Sequence, residues 1–478
     1  MSSWFPFEYR DVEAWRKDGL PLSTPSNEAA KHLDAAIAQF ALMDSDPAQG
    51  GFMASMTQVN EADPDCNMSK ILMLELQAQE RGPIVDDTMK KKCLAFKDQP
   101  KKVALSSWEE KHLECALALS ENDMLMACNI WENILVDHPK DMASLQMLYF
   151  GHLNTGRRRG LRDSVLRVLD HYAPHDRYYG NLYGKLCFGY EENNQFDLGF
   201  KAGTKALEHT PKDIWAVHAM SHVYHETSRS DDGVTFLERI EKDWVDNPSP
   251  IKRHVWWHKS LYYFDLGDYE DAISLYDNTI KPLAFEEKMA FSLSDAASLL
   301  LRLQSQDAPK GLNLKERWCE LGQVYKDHLS NSIGNVFYDF HPLVTFMFGD
   351  NQDGGLKLQE QIQDQARSVT KSKDFNCCVA NKVGVGLAEA TIAYARQDYT
   401  QAVEHLNPIR YDVFEYLGGS HAQKDVIHIM LLDAAQKSGQ VNLAKQLLAE
   451  RLAWNGSSLK NDQSTFNNRM ASKMTMMH

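Results

Sequence analysis

The chain has 478 residues, enough for one large or several ordinary domains, and its 43% hydrophobic and 24% charged residues are the balance of a folded globular protein. It carries 51 basic and 66 acidic side chains, a formal charge of -15, which argues against a nucleic-acid partner because such a partner needs a basic stripe. The start Met1-Ser-Ser-Trp-Phe-Pro lacks the basic and apolar regions of a secretion signal, and no apolar run approaches the ~20 residues of a membrane span. Eight scattered cysteines, none in a CxxC pair, predict reduced thiols in a cytoplasmic protein.

Taken in order, the segment from Trp4 to Gly19 is aromatic and charged. Thr24 followed by Pro25 predicts a helix start with the threonine as cap. Leu33, Ala36, Ile37 and Phe40 share one face of the helix expected over 29–42. A loop with a short amphipathic stretch is expected over 44–64, then an apolar helix over 71–78. Together these make an N-terminal helical region, 1–107.

From Trp108 a repeat decides the fold. Residues 122–139, 194–211 and 267–282 read as second helices of hairpins, each ending at a proline and about 72 residues apart, twice the usual helical-hairpin period. The skipped pairs are 142–153 with 156–168, and the histidine-rich helix with 233–240, so five hairpins are expected over 108–285. No hairpin can bury its apolar faces alone; stacking neighbours buries them and produces a curved superhelix with a concave wall. Strand-like alternation is almost absent, so the expected fold is all-α, an α-solenoid. After Pro282 the pattern weakens into divergent helical repeats over 286–454, with apolar stretches at 293–303 and 331–348 and helix pairs at 387–402 and 417–452. From Asn455 a polar, frayed tail is expected over 455–478.

One stretch combines repeat and chemistry. His218, His222 and His225 form a stripe on one helix, with Val217, Met220, Ser221 and Tyr224 on the neighbouring face. His254 and His258 are again four apart, on the helix that opens the next hairpin. Ser221 and Ser260 are small where close helix approach needs them.

The repeats resemble tetratricopeptide repeats: Trp256, Ser260, Tyr263, Gly267, Tyr269, Ala272 and Tyr276 fit that pattern in one register, as do Val217, Ser221, Tyr224 and Gly233. The whole chain, from about Ala14 to Ala453, is similar to the tetratricopeptide repeat protein 38 family. The residues that carry this are Leu22-Ser-Thr-Pro-Ser-Asn-Glu-Ala, Trp215-Ala-Val-His-Ala-Met-Ser-His, Trp257-His258, Ile409-Arg410 and Gly418-Gly-Ser-His-Ala-Gln-Lys-Asp425. Three departures stand out: His225 where the family has glutamate (Glu226 follows it), Tyr338-Asp339-Phe340-His341 for the family's Asn-Asp-x-His, and Lys424 for its arginine. The resemblance implies an all-helical, right-handed superhelix of tetratricopeptide-like hairpins, and no particular activity. It also implies that His218, His222, His225 and His254 face the concave wall.

Imidazoles grouped there, joined by His258, are suited to a divalent transition metal, with His218, His222, His254 and His258 as ligands and Glu226 or Asp339 completing the shell or acting as base. The competing readings are a metal-free groove and buried histidines that only hydrogen-bond. In the 418–425 motif, Ser420 and Gln423 spell a capping box, and the free N–H groups with His421 and Lys424 suit an anion. His341 near Asp339 reads first as a core histidine held by a carbonyl. Arg157, Arg158 and Arg159 read as a solvated turn. No phosphate loop, dinucleotide fingerprint or nucleophile elbow is present.

The function expected is binding of a protein, a peptide or a small molecule in the concave groove, with Trp215, Trp256 and Trp257 favouring a small pocket. The alternative is a histidine-lined, metal-dependent small-molecule enzyme of hydrolase type. The ligand-binding candidates are His218, His222, His225, Trp215, His254, Trp257, His258, Asp339, His341, His421, Lys424 and Asp425.

Overall fold

The computed structural model describes residues 8–80, 87–306, 312–328, 334–369, 373–454 and 465–476. The expected features at Trp4, at Asn331 and over 455–464 lie outside them. Among the described residues the protein is an all-α solenoid with no strand. No helix among them is long and apolar enough to cross a membrane.

The five expected hairpins are present, each an A helix followed by a B helix. They are Ser107–Ser120 with Met124–Asp137, Met142–Asn154 with Arg158–Leu169, Tyr179–Glu191 with Phe196–His209, Ile214–Glu226 with Ser230–Arg239, and Ile251–Leu266 with Tyr269–Leu275. Where the sequence pattern weakens, the hairpins continue: Ala290–Ser305 with Leu314–His328, Val336–Phe348 with Gln352–Arg367, Val385–Ala395 with Tyr399–Leu406, and His421–Lys437 with Val441–Trp454.

The turns explain this persistence. Asn122, Gly156, Asn194, Ser228, Gly267, Gln397 and Gly439 each place one left-handed residue between an A and a B helix, with φ from 54° to 89°. In all seven, the next residue's N–H donates to the carbonyl five positions back, at 2.8–2.9 Å. That bond satisfies a carbonyl the helix end would otherwise leave open. Glycine suits the left-handed position best, yet asparagine, serine and glutamine also hold it, so the motif survives with its sequence signature eroded.

Two apolar cores run along the solenoid and share helix Ile251–Leu266. Ile251, Val255 and Tyr262 belong to the first, Trp257, Leu261 and Phe264 to the second. Gly233 lets its B helix approach Tyr262, whose ring would lie 2.5 Å from an added Cβ. Tyr262 itself is pinned, donating to the Ser221 carbonyl at 2.7 Å.

The C-terminal helices fold back onto this wall. Helix His421–Lys437 packs against Ala290–Ser305 and meets Ile214–Glu226. The segment before it touches the second hairpin so closely that a Cβ on Gly418 would lie 2.7 Å from the Asn154 carbonyl oxygen. The expected frayed tail is not what residues 465–476 form. They are a helix whose Met470 and Met474, one turn apart, are buried, while Arg469 donates to the Phe264 carbonyl at 3.3 Å. The first helix start also differs: Ser26, not Thr24, caps Asn27–Leu42, because Thr24 turns away to donate to Asp63. The amphipathic stretch after Asp44 is the helix Phe52–Ala62.

A buried charged triad fixes the first hairpin. His112 bridges Glu75 (3.0 Å) and Asp141 (2.9 Å). Burial opposes its charge, but the two carboxylates outweigh burial and push its pKa up to about 10. Its stabilisation is therefore complete below the ordinary imidazole pKa of about 6.5 and is lost as pH rises through about 10. The urea-unfolding gap between wild type and His112→Gln should be wider near neutrality than near pH 10; equal gaps would show that His112 holds no extra proton. Gly233→Ala should cost about 1–3 kcal/mol in the same assay, since the pinned Tyr262 ring cannot yield.

Candidate functional site

Asp213 caps helix Ile214–Glu226 by accepting the N–H groups of Trp215 and Ala216 at 2.9 and 3.1 Å. This sets the register in which His218 and His222 face the next A helix, where His254 and His258 repeat the spacing. The four rings meet with centroids 4.3–6.4 Å apart. His218 and His222 share a hydrogen bond, Nε2 to Nε2 at 3.0 Å. One nitrogen from each ring lies within 4.8 Å of the others. The expected juxtaposition is thus present, but not on an open wall: the four side chains are sealed, at 0–3% exposure.

Aromatic rings close the cluster. Trp257 stacks on His254 at 4.7 Å, and Trp215 lies 4.8 Å from His218. Phe188 meets His222 and Phe291 meets His254, each at 4.9 Å. Trp256 is elsewhere, against Trp244. His225 also leaves the cluster: it lies on the same stripe but two turns beyond His218, outside the span of the His254–His258 pair. Its Nδ1 sits 3.5 Å from Asp265.

Polar neighbours of the cluster come from helices whose role the sequence reading missed. Asp295 accepts from Nδ1 of His254 at 2.8 Å and is also held by Arg253. Burial raises the Asp295 pKa, but His254 and Arg253 outweigh it and keep the carboxylate below its usual range. Glu191 lies 3.8 Å from Nδ1 of His222, too far for a hydrogen bond, and neither of its buried oxygens has one among the described residues. Nδ1 of His218, Nδ1 of His222 and both nitrogens of His258 are likewise buried without a partner. Each such group costs about 1–3 kcal/mol. Burial pushes the pKa of His218, His222 and His258 well below the ordinary imidazole value, so these rings are neutral.

Ser420 caps helix His421–Lys437 with Gln423 in the expected capping box. The anion at this helix start is the protein's own: the His421 N–H donates to Glu192 at 2.8 Å. Lys424 stands nearby, its pKa brought down to about 8 by burial against the pull of Glu192. Arg158 is not a solvated turn residue. It crosses to donate to Nε2 of His421 at 2.7 Å and pairs with Glu415 at 2.6 Å. Asp425 is gripped by Arg451 through two bonds of 2.9 and 3.0 Å.

Between these groups lies a cavity of about 260 Å³ lined by Arg158, Asn194, Glu226, Tyr411, Phe414, Glu415, His421, Asp425 and Trp454. Glu226 accepts no hydrogen bond from the described residues, and burial together with Asp425 raises its pKa well above the carboxylate range. Glu192 and Glu191 stand between this cavity and His222.

Asp339 and His341 belong to neither place. Asp339 accepts the Gly334 N–H at 2.9 Å, and His341 donates from Nδ1 to the Phe337 carbonyl at 2.8 Å, as a core histidine does. The missed residues did carry a signal. Asp295 and Arg302 are lone charges inside the apolar run 293–303, and Glu191-Glu192 ends a helix whose one other charge is Lys185. A charge on a buried helix face demands a partner.

No protein-family profile matches the chain. Among solved structures, it aligns with a chain of the Naa15/Naa10 complex bound to HypK-THB over 93% of this chain and 68% of that one, at 13% identity and a TM-score of 0.26. So loose a superposition carries no argument about activity or partners, and the repeat fold stands on the helix pairs and turns described above.

Arg451→Met should strand the Asp425 carboxylate and lower unfolding stability by about 3–5 kcal/mol, and adding Asp425→Asn should recover part of that loss. Additive losses in the double variant would mean that the pair is not coupled.

Proposed function

We propose that this chain is a tetratricopeptide-like repeat protein, of the tetratricopeptide repeat protein 38 family its sequence resembles, that binds a small organic cation on the inner side of its solenoid. The observation that carries this reading is Glu226: a carboxyl group at 4% exposure, lining a cavity, with no hydrogen-bond donor among the described residues. The other two carboxylates of the cavity already have guanidinium partners, Asp425 in Arg451 and Glu415 in Arg158. Burial by itself keeps Glu226 protonated, and an incoming ammonium or guanidinium group would pair with the carboxylate it becomes on giving up that proton. Phe414 and Trp454, 4.1 Å apart, and Tyr411 at the rim offer ring faces to such a cation.

The size of the cavity supports a small ligand, since it falls just below the ~300–1,000 Å³ of drug-sized sites. An extended protein segment is the competing occupant; helix His421–Lys437, packed on Ala290–Ser305 and meeting Ile214–Glu226, occupies part of the wall it would need. A cytoplasmic setting belongs to the same proposal, supported by the cysteine pattern. The second reading, a metal-dependent site, is favoured by the histidine cluster and is taken up below.

Calorimetric titration with benzylammonium and its neutral analogue benzyl alcohol tests this. The ammonium should bind and the alcohol should not, and Glu226→Gln should weaken the ammonium by at least roughly tenfold. Equal binding of both, or of wild type and variant, would end the cation reading. Binding of a lysine-bearing peptide without binding of the free amine would assign the groove to a protein segment.

A further inference from the structure

We infer that His218, His222, His254 and His258 together hold one divalent transition-metal ion, which clamps helix Ile214–Glu226 to helix Ile251–Leu266. Each helix supplies a pair of imidazoles one turn apart, so each pair chelates from one side. One nitrogen of every ring lies within 4.8 Å of the other three. Two are already 3.0 Å apart, close to the roughly 3.3 Å edge of a tetrahedron with metal–nitrogen bonds of about 2.0–2.1 Å. Hydrogen bonding alone does not account for the cluster. Four imidazoles offer eight nitrogens, yet among the described residues these make only the His218–His222 contact and the His254–Asp295 bond. Nδ1 of His218, Nδ1 of His222 and both nitrogens of His258 are buried beyond the reach of water.

The surroundings match a metal shell. Asp295 orients His254 through Nδ1 and is itself held by Arg253, an arrangement that turns the opposite nitrogen toward the cluster. Glu191 lies buried beside His222 with no hydrogen-bond partner among the described residues, a carboxyl group placed where a buried dication would need a counter-charge. The aromatic rings of Phe188, Trp215, Trp257 and Phe291 hold the imidazoles in place and exclude solvent. A set of four imidazoles selects zinc, cobalt, nickel or copper over magnesium and calcium, which prefer oxygen. With four protein nitrogens on a tetrahedral ion, no position is left for a water. The site is therefore a structural clamp at the helix both apolar cores share, and not the centre of a hydrolase.

The test uses the full chain, stripped with a chelator and titrated with Co²⁺. One ion should bind per chain with the intense visible absorption of tetrahedral nitrogen ligation, and both Co²⁺ and Zn²⁺ should raise the melting temperature while Mg²⁺ does not. Asp295→Asn should weaken Co²⁺ about 10–100-fold while keeping the stoichiometry. His218→Gln with His258→Gln should abolish the absorption. The inference is overturned if the stripped wild-type chain takes up no stoichiometric Co²⁺, if the bound ion gives only the weak octahedral spectrum, or if the double variant binds as well as wild type. Should the double variant fail to fold, wild-type stoichiometry and spectrum still decide. Benzylammonium binding to the stripped chain is read separately, so the cavity and the clamp can fail independently.

Discussion

Helix His421–Lys437 lies against the inner A helices, and the rest of the interior depends on that contact. Its first N–H donates to Glu192, and the Ala422 carbonyl accepts from Arg302, a guanidinium buried at 1% exposure. Once this helix is seated, water is excluded from the wall, and every polar group there has to find its partner within the protein. Most do. Arg451 holds Asp425 with two bonds, and Arg253 holds Asp295. Among the groups that do not are Glu191, Glu226 and nitrogens of three of the clustered histidines, and these lie at the cluster and the cavity proposed as binding places.

Those unsatisfied groups form two neighbouring sets. The imidazoles sit where the two apolar cores meet, walled by aromatic rings. The cavity lies toward the C-terminal helices, with Glu226 in its lining. The Glu191–Glu192 pair stands between them, one carboxylate beside His222 and the other under the start of helix His421–Lys437.

Departure from the repeat consensus has a specific cost and a specific freedom here. The turn between A and B helices needs one left-handed residue and one return hydrogen bond, and residues other than glycine meet that requirement at four of the seven turns named. Close packing is less tolerant. Gly233 against Tyr262 and Gly418 against the Asn154 carbonyl leave no room for a side chain. Packing, more than turn chemistry, therefore decides which small residues the solenoid must keep.

The sequence alone determined the all-α solenoid, the five hairpins from Trp108, the capping box at Ser420 and the one-turn spacing within each histidine pair, His218 with His222 and His254 with His258. Each follows from periodicity within one helix or from contact between consecutive helices, and such relations are local. Tertiary structure decided the burial of the cluster, the diversion of His225 to Asp265, the reach of Arg158 to His421, and the partners Asp295, Glu191 and Glu192. These depend on how far the solenoid curves before its C-terminal helices return, and that distance accumulates small rotations over many hairpins. No single stretch of residues encodes the sum.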